Sequence, residues 1–290
     1  MSGLIIPLGL AFLMLCVGFE TRSADFRTLV RAPRGVAVGM AMQIVGSPAV
    51  AVAIAVLLDL PAPHAIGLVL VAAAPGGVTA NFVTLMAAGD VATCVTLTVL
   101  GSLAAPLTVP LVVGLAFDRF AGDAVAVSLP LGPTIGAVFV TTVVPLVIGI
   151  AVAERHGAVV ARLRPMLRRA SVAVFLTVVG TAIAAQWSAL VASWREVGVA
   201  DLAFDLVTMG LAAAIGRAVG VAPAGLVALS ISAGLRNIAV ALTIAVSLLG
   251  RPDIAVAATV YVFVMNATAL LLVALRRRRL SQIKDDAELP

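Results

Sequence analysis

The chain has 290 residues, is 62% hydrophobic and 11% charged, and has a mean hydropathy of +1.18. That composition excludes a water-soluble globular domain and predicts an integral membrane protein. The net charge of +5 comes almost wholly from arginine, and in so apolar a chain it speaks to membrane orientation; nucleic-acid binding is not implied.

A membrane helix needs about 20 mostly apolar residues. Such runs follow one another along the chain, cut by charged and Pro/Gly-rich interruptions, and predict nine segments within a single polytopic domain over 1–275, with a basic tail over 276–290. The first, 3–20, lacks a basic stretch before it and a small-residue cleavage site after it, so it is expected to be retained as a span. Arg22, Arg27, Arg31 and Arg34 follow it. The second, 35–58, carries Gln43 in "AMQIVGSP". The third, 64–88, holds "AAAPGGVTAN" near its middle, where Pro75 removes a backbone donor and Gly76-Gly77 weakens the helix. The fourth, 91–117, carries Cys94 and Thr98, and the fifth, 130–152, is followed by Arg155, Arg162, Arg164, Arg168 and Arg169. The sixth, 170–192, and the seventh, 199–219, precede Arg217; the seventh contains Asp201 and Asp205. The eighth, 223–249, is interrupted by "SAGLRN", and the ninth, 253–275, carries Asn266 before Arg276 to Arg279 and Lys284. The two cysteines, Cys16 and Cys94, both fall inside segments, which argues against a disulfide framework.

Charge sets the orientation. The clusters after the first, fifth, seventh and ninth segments share one side of the membrane, while Arg119, Arg195 and Arg251 fall on the other and Arg236 lies within a segment. By the positive-inside rule the C-terminus is cytoplasmic and the N-terminus outside, in a multi-pass protein of the plasma or inner membrane.

The third and eighth segments are five apart, so they cross in opposite directions. Segments one to four and six to nine then form two inverted-topology repeats, each with its third member broken. One such break alone reads as a packing kink. A matched pair points to a transporter's binding site, because half-helix ends expose N–H and C=O groups that lipid cannot satisfy and ligands can.

"GFETRSADF", "APGGVTANFVTLMAAGDVATCVTLTVLGSLAAPLTVP" and "AGLRN", in that order, resemble the bile acid:sodium symporter family. The resemblance covers nearly the whole chain and implies a nine-helix, all-α member. It implies a panel domain of the first, fifth and sixth helices and a core domain of the second, third, fourth, seventh, eighth and ninth. The two broken helices would cross near the bilayer midplane. Organic-anion transport by alternating access is the implied activity, with the lipid bilayer and the small anion as partners; no organic cofactor is implied, and oligomeric state is left open. Asn81, Arg236, Asn237, Thr79 and Asn266 form the candidate substrate-binding set.

Sodium ligands transfer only in part. Gln43, Asn81 and Thr98, with the carbonyls of Ala233 and Leu235, stand where the family holds sodium. A ligand serine is replaced by Ala80, another by Cys94, the shared glutamate by Ser232 and a glutamine by Arg236. The candidate metal positions Gln43, Asn81, Thr98 and Ser232 therefore form degenerate sites without a carboxylate, although hard cations need oxygen ligands. One glutamate with two sodium ions sums to +1, and so does Ser232 with Arg236. Arg236 is thus expected to stand in for a cation, since a guanidinium keeps its proton and offers five donors.

A fixed cation alters the energetics. Carrying one anion in and returning empty moves a net negative charge against an inside-negative potential, at about 2.3 kcal/mol per 100 mV. An exporter, an exchanger or a proton symporter escapes that cost, and Asp205 is the proton-coupling candidate, set against the plainer reading that both aspartates sit at the outer interface. Little aromatic surface favours a small anion over a flat steroid. No His-Glu-x-x-His or Gly-x-Ser-x-Gly motif occurs, so an enzyme is not expected. Sodium-coupled symport as in the family, and a non-transporting sensor or channel, are the alternative functions.

Overall fold

The computed structural model describes residues 2–121 and 131–287. Residue 130 of the fifth predicted segment and residues 288–290 of the predicted tail lie outside it. Helix dominates, as a chain without water to satisfy its backbone requires, and no β-strand occurs among the described residues.

We number the main helices α1 (Ser2–Glu20), α2 (Pro33–Leu57), α3 (Ala62–Ala73), α4 (Val78–Met86), α5 (Val91–Phe120), α6 (Leu131–Arg155), α7 (Gly157–Ala185), α8 (Trp187–Ala218), α9 (Pro223–Gly234), α10 (Ile238–Leu248) and α11 (Ala255–Ala287). Prolines stand in the first turn of α2, α3 and α9, where a missing N–H costs nothing. Asp90 caps α5 by accepting from the Thr93 amide at 3.2 Å and its hydroxyl at 2.7 Å.

Six helices are long and apolar enough to cross a membrane, or seven if α1 and the chain over Ser23–Arg31, bent by 71° from it, count as one span. The expected interruptions of the third and eighth segments account for part of the difference from nine. The third and eighth segments are each split, by Ala74–Gly77 and by Leu235–Asn237, into halves too short to span alone.

Two predicted boundaries also move. Instead of 170–192 and 199–219, the sixth and seventh helices run Gly157–Ala185 and Trp187–Ala218, with Gln186 between them. The expected loops carry Arg162, Arg164, Arg168, Arg169, Arg195 and Glu196, and arginine and glutamate are good helix formers. Cutting at charge therefore removed turns that the backbone keeps.

The helix contacts form two groups joined to each other through α5 against α6 and α1 against α10. α1 packs on α6 and α7. The approach to α6 brings Gly18 against Gly149, where a Cβ on either glycine would stand less than 3 Å from the other's Cα. The second group joins α8 to α9 and α11, α3 to α2, α5 and α11, and α4 to α5.

Long-range bonds gather the basic clusters at one end of the molecule. The Ser23 amide donates to Glu154 at 2.7 Å, Arg34 to the Val219 carbonyl at 3.3 Å, and Arg277 to the Met86 carbonyl at 3.4 Å.

Candidate functional site

The two breaks meet. α3 stops at Ala73 because Pro75 has no N–H to continue it, and Ala74 and Gly77 take extended conformations. α9 stops at Gly234, and Leu235 is likewise extended. The two short extended pieces form an antiparallel bridge centred on Gly76 and Arg236. The Gly77 amide donates to the Leu235 carbonyl and the Asn237 amide to the Pro75 carbonyl, both at 2.8 Å. Backbone groups freed by the breaks thus satisfy one another.

Side chains hold the ends of the halves. Arg236 is 1% exposed; its guanidinium donates to the Ala74 carbonyl at 3.2 Å and to the Ser47 hydroxyl, placing a cation at the C-terminal end of α3. The Tyr261 hydroxyl lies 2.7 Å from the Gly234 carbonyl, at the end of α9.

Three of the candidate sodium positions converge. A Cβ on Gly76 would stand 3.3 Å from the Thr98 hydroxyl, 3.5 Å from Gln43 Nε2 and 3.5 Å from the Ser232 hydroxyl. Gln43 Nε2 donates to Ser232 at 2.9 Å, and Thr98 donates to the Cys94 carbonyl at 3.0 Å. Gln43 Oε1 and Asn81 Oδ1 are buried without a partner. Among the described residues no group of three or more His, Cys, Asp or Glu gathers in a way that could hold a metal.

A cavity of about 500 Å³ runs from this crossing to the basic end. Thr79, Asn81, Arg236 and Asn237 line its inner part, so four of the five candidate substrate residues share one wall. Thr79 is exposed to it, and Asn237 Nδ2 contacts Met14 Sδ at 3.7 Å. Asn266 is not in the lining; its amide donates to the Val262 carbonyl one turn away, at 2.7 Å.

Toward the basic end the cavity meets Glu20, Phe82, Arg164 and Arg168, which sequence reasoning did not assign to a site. Arg164, Arg168, Ser171 and Phe175 form one stripe of α7, at the i, i+4, i+7, i+11 spacing of a single face. The Arg168 guanidinium stands 4.1 Å from the centroid of the Phe82 ring, across the cavity from its own helix. That stripe is the signal the sequence contained, masked because its arginines also satisfy the positive-inside pattern.

Asp205 lies apart from the lining. It and Asp201 are each 0% exposed, enclosed by neighbouring helices. Tyr261 and Thr268 contact the Asp205 carboxyl.

A family model described as the Sodium Bile acid symporter family matches residues 7–193. No curated protein matches the chain.

Proposed function

The chain belongs to the sodium bile acid symporter family, and from that premise we propose that it is a secondary transporter of an organic anion, of the carboxylate or sulfate type, working by alternating access. The observation that carries this reading is the bridged crossing of two broken helices at the inner end of a cavity that Arg164 and Arg168 also line. Half-helix N-termini and neutral amides at one end, and guanidinium groups at the other, suit an anion with an apolar body.

The two broken pairs, α3 with α4 and α9 with α10, each make one crossing, which brings the seven spans countable by length to nine. α1, α6 and α7 form the panel and the remaining helices the core; the basic end, with the C-terminus, faces the cytoplasm.

Sodium coupling is lost or reduced in this reading. Four features support it: the missing carboxylate at Ser232, the hydrogen bond Ser232 accepts from Gln43, Cys94 in place of a hydroxyl, and the Arg236 guanidinium already bonded to Ala74 and Ser47. The groups around Gly76 do not make an oxygen cage for a hard cation. A second reading, sodium-coupled symport, is favoured by the unpartnered acceptors Gln43 Oε1 and Asn81 Oδ1, which a cation would satisfy.

Counterflow in proteoliposomes tests both, using labelled bile acid, sulfated steroid and small carboxylates with sodium varied independently. Saturable counterflow in sodium-free buffer is the expected result, and the double variant Ser232→Glu, Arg236→Gln is expected to acquire sodium dependence. Counterflow that already requires sodium establishes the second reading. Binding of an anion without any counterflow points to a sensor.

A further inference from the structure

The buried acids of α8 have no task in the scheme above, and their surroundings suggest one. Asp205 and Tyr261 are both 0% exposed. The Tyr261 oxygen lies 2.8 Å from Asp205 Oδ1 and 2.7 Å from the Gly234 carbonyl oxygen, and Thr268 donates its hydroxyl to Asp205 Oδ2. A phenol carries one proton and a carbonyl none. With Asp205 ionised, one of the two short contacts of Tyr261 would join two acceptors with no hydrogen between them. Both become hydrogen bonds when Asp205 carries a proton on Oδ1 and donates it to the Tyr261 oxygen, leaving the phenolic proton for Gly234.

No ion pair holds Asp205 among the described residues. The titratable and charged groups that face it are Asp201 on α8 itself, Tyr261 from α11 and Arg236 from the break after α9. Asp201 is an acid with both carboxyl oxygens buried and unpartnered, and Arg236 directs its terminal nitrogens to Ala74 and Ser47 and leaves its Nε unpartnered, with no hydrogen bond to Asp205. From α3, His64 pairs with Glu196, more than two turns away along α8. An ionised carboxylate in such a place is costly, whereas a proton supplies both the missing charge and the missing donor.

We propose that Asp205 is a proton-binding site that couples proton movement to the crossing of the broken helices. The carboxyl presses on the last residue of α9: a Cβ on Gly234 would stand 2.6 Å from Asp205 Oδ1. In the protonated state the chain runs Asp205 O–H to Tyr261 O–H to Gly234 carbonyl. On release the Asp205 proton leaves to solvent, the phenolic hydrogen turns to Oδ1, and the terminal carbonyl of α9 loses its donor. Protonation therefore alters one end of the break that carries Arg236 and Asn237. Met265, between Tyr261 and Thr268 along the same helix, borders the cavity.

This inference rests on the transport reading above and adds the coupling ion. One monoanion with one proton leaves the loaded and empty carriers equally charged, so accumulation follows the pH gradient, about tenfold per pH unit, and is indifferent to voltage.

Two measurements on the full-length protein in proteoliposomes decide it. Infrared difference spectra across pH, taken without any substrate, are expected to show a protonated carboxylic acid that titrates, is missing in Asp205→Asn and is shifted in Tyr261→Phe. Labelled cholate inside acid-outside liposomes is expected to accumulate with wild type, and Asp205→Asn is expected to lose that response to the pH gradient whatever counterflow it retains. Gradient-driven accumulation that survives Asp205→Asn overturns the proposal, as does wild-type counterflow blind to the pH gradient. If cholate shows no counterflow, the transport reading fails for that anion and the infrared titration alone decides whether Asp205 binds a proton; an acid band unchanged by both substitutions refutes it. Should Asp205→Asn fail to insert, Tyr261→Phe, which keeps the carboxyl, decides by the presence or absence of the shift.

Discussion

Arg168 illustrates how one side chain serves two purposes. Its place near the start of α7 fits a determinant of orientation, yet its guanidinium stands over Phe82 inside the cavity, 4.1 Å from the ring centroid. A guanidinium so placed is held by the ring and still has edges free to meet an anionic group. A hydrogen bond to a charged group contributes about 1.5–3 kcal/mol, so Arg168→Ala is expected to raise the half-saturating anion concentration by about 10- to 100-fold. Phe82→Leu removes only the cation–ring contact, about 0.5–1 kcal/mol at exposed sites, and should cost a few-fold. Concentration dependence of counterflow at two ionic strengths checks both, with the Arg168→Ala loss smaller at high salt. Equal effects of the two substitutions would mean that the ring, rather than the charge, carries the contact. Arg236, by contrast, turns its guanidinium to the backbone end of α3, although it and Asn237 both border the cavity.

At the scale of elements, the breaks are defined by what cannot fit. A Cβ on Gly77 would stand 2.8 Å from the Arg236 carbonyl oxygen, which is backbone and cannot swing aside, whereas one on Gly76 meets only side-chain atoms at 3.3 Å and beyond. Gly77→Ala is therefore expected to destabilise the protein by about 1–3 kcal/mol, the range for overpacking, and to abolish counterflow. Gly76→Ala should be the milder of the pair, and thermal unfolding in detergent ranks them. These breaks were legible in the sequence as clusters, Pro75-Gly76-Gly77 in one and Gly234 before Arg236 and Asn237 in the other, whereas Pro7, Pro106, Pro110 and Pro165 lie inside helices that continue. The starts of α7 and α8 were not legible, since Arg162 to Arg169 and Arg195-Glu196 propagate a helix as readily as they mark a surface. The site divides the same way. Gln43, Thr98 and Ser232 were found by position in a motif and do converge on Gly76. Phe82 and the α7 stripe were missed because which face meets the cavity depends on helix packing, and Tyr261 was missed because its partners Asp205 and Gly234 are distant in sequence.

On the scale of the whole molecule, the cavity lies between the two groups of helices. α1 and α7 form one wall, and α4, the start of α5 and the crossing form the other. The glycine contact of Gly18 with Gly149 ties α1 closely to α6, and α1 also packs on α7. Glu20 and Arg164 line the cavity toward the end where the basic clusters gather, which makes this an arrangement open to that side. Thr79, exposed at the inner end of the cavity, reports on it. Cys16 also lines the cavity and Cys94 is 0% exposed, so the informative variant is Thr79→Cys in a Cys16→Ser background, leaving Cys94 in place. A membrane-impermeant thiol reagent is expected to reach Thr79→Cys from the face bearing the basic clusters and to be slowed by a bound anion. Alternating access further requires a fraction of molecules, increased by an anion gradient, to react from the opposite face. Labelling from both faces at once in every molecule would instead describe a channel. Labelling from one face only, under every gradient, would describe a pocket that never opens to the other side, and with it a sensor.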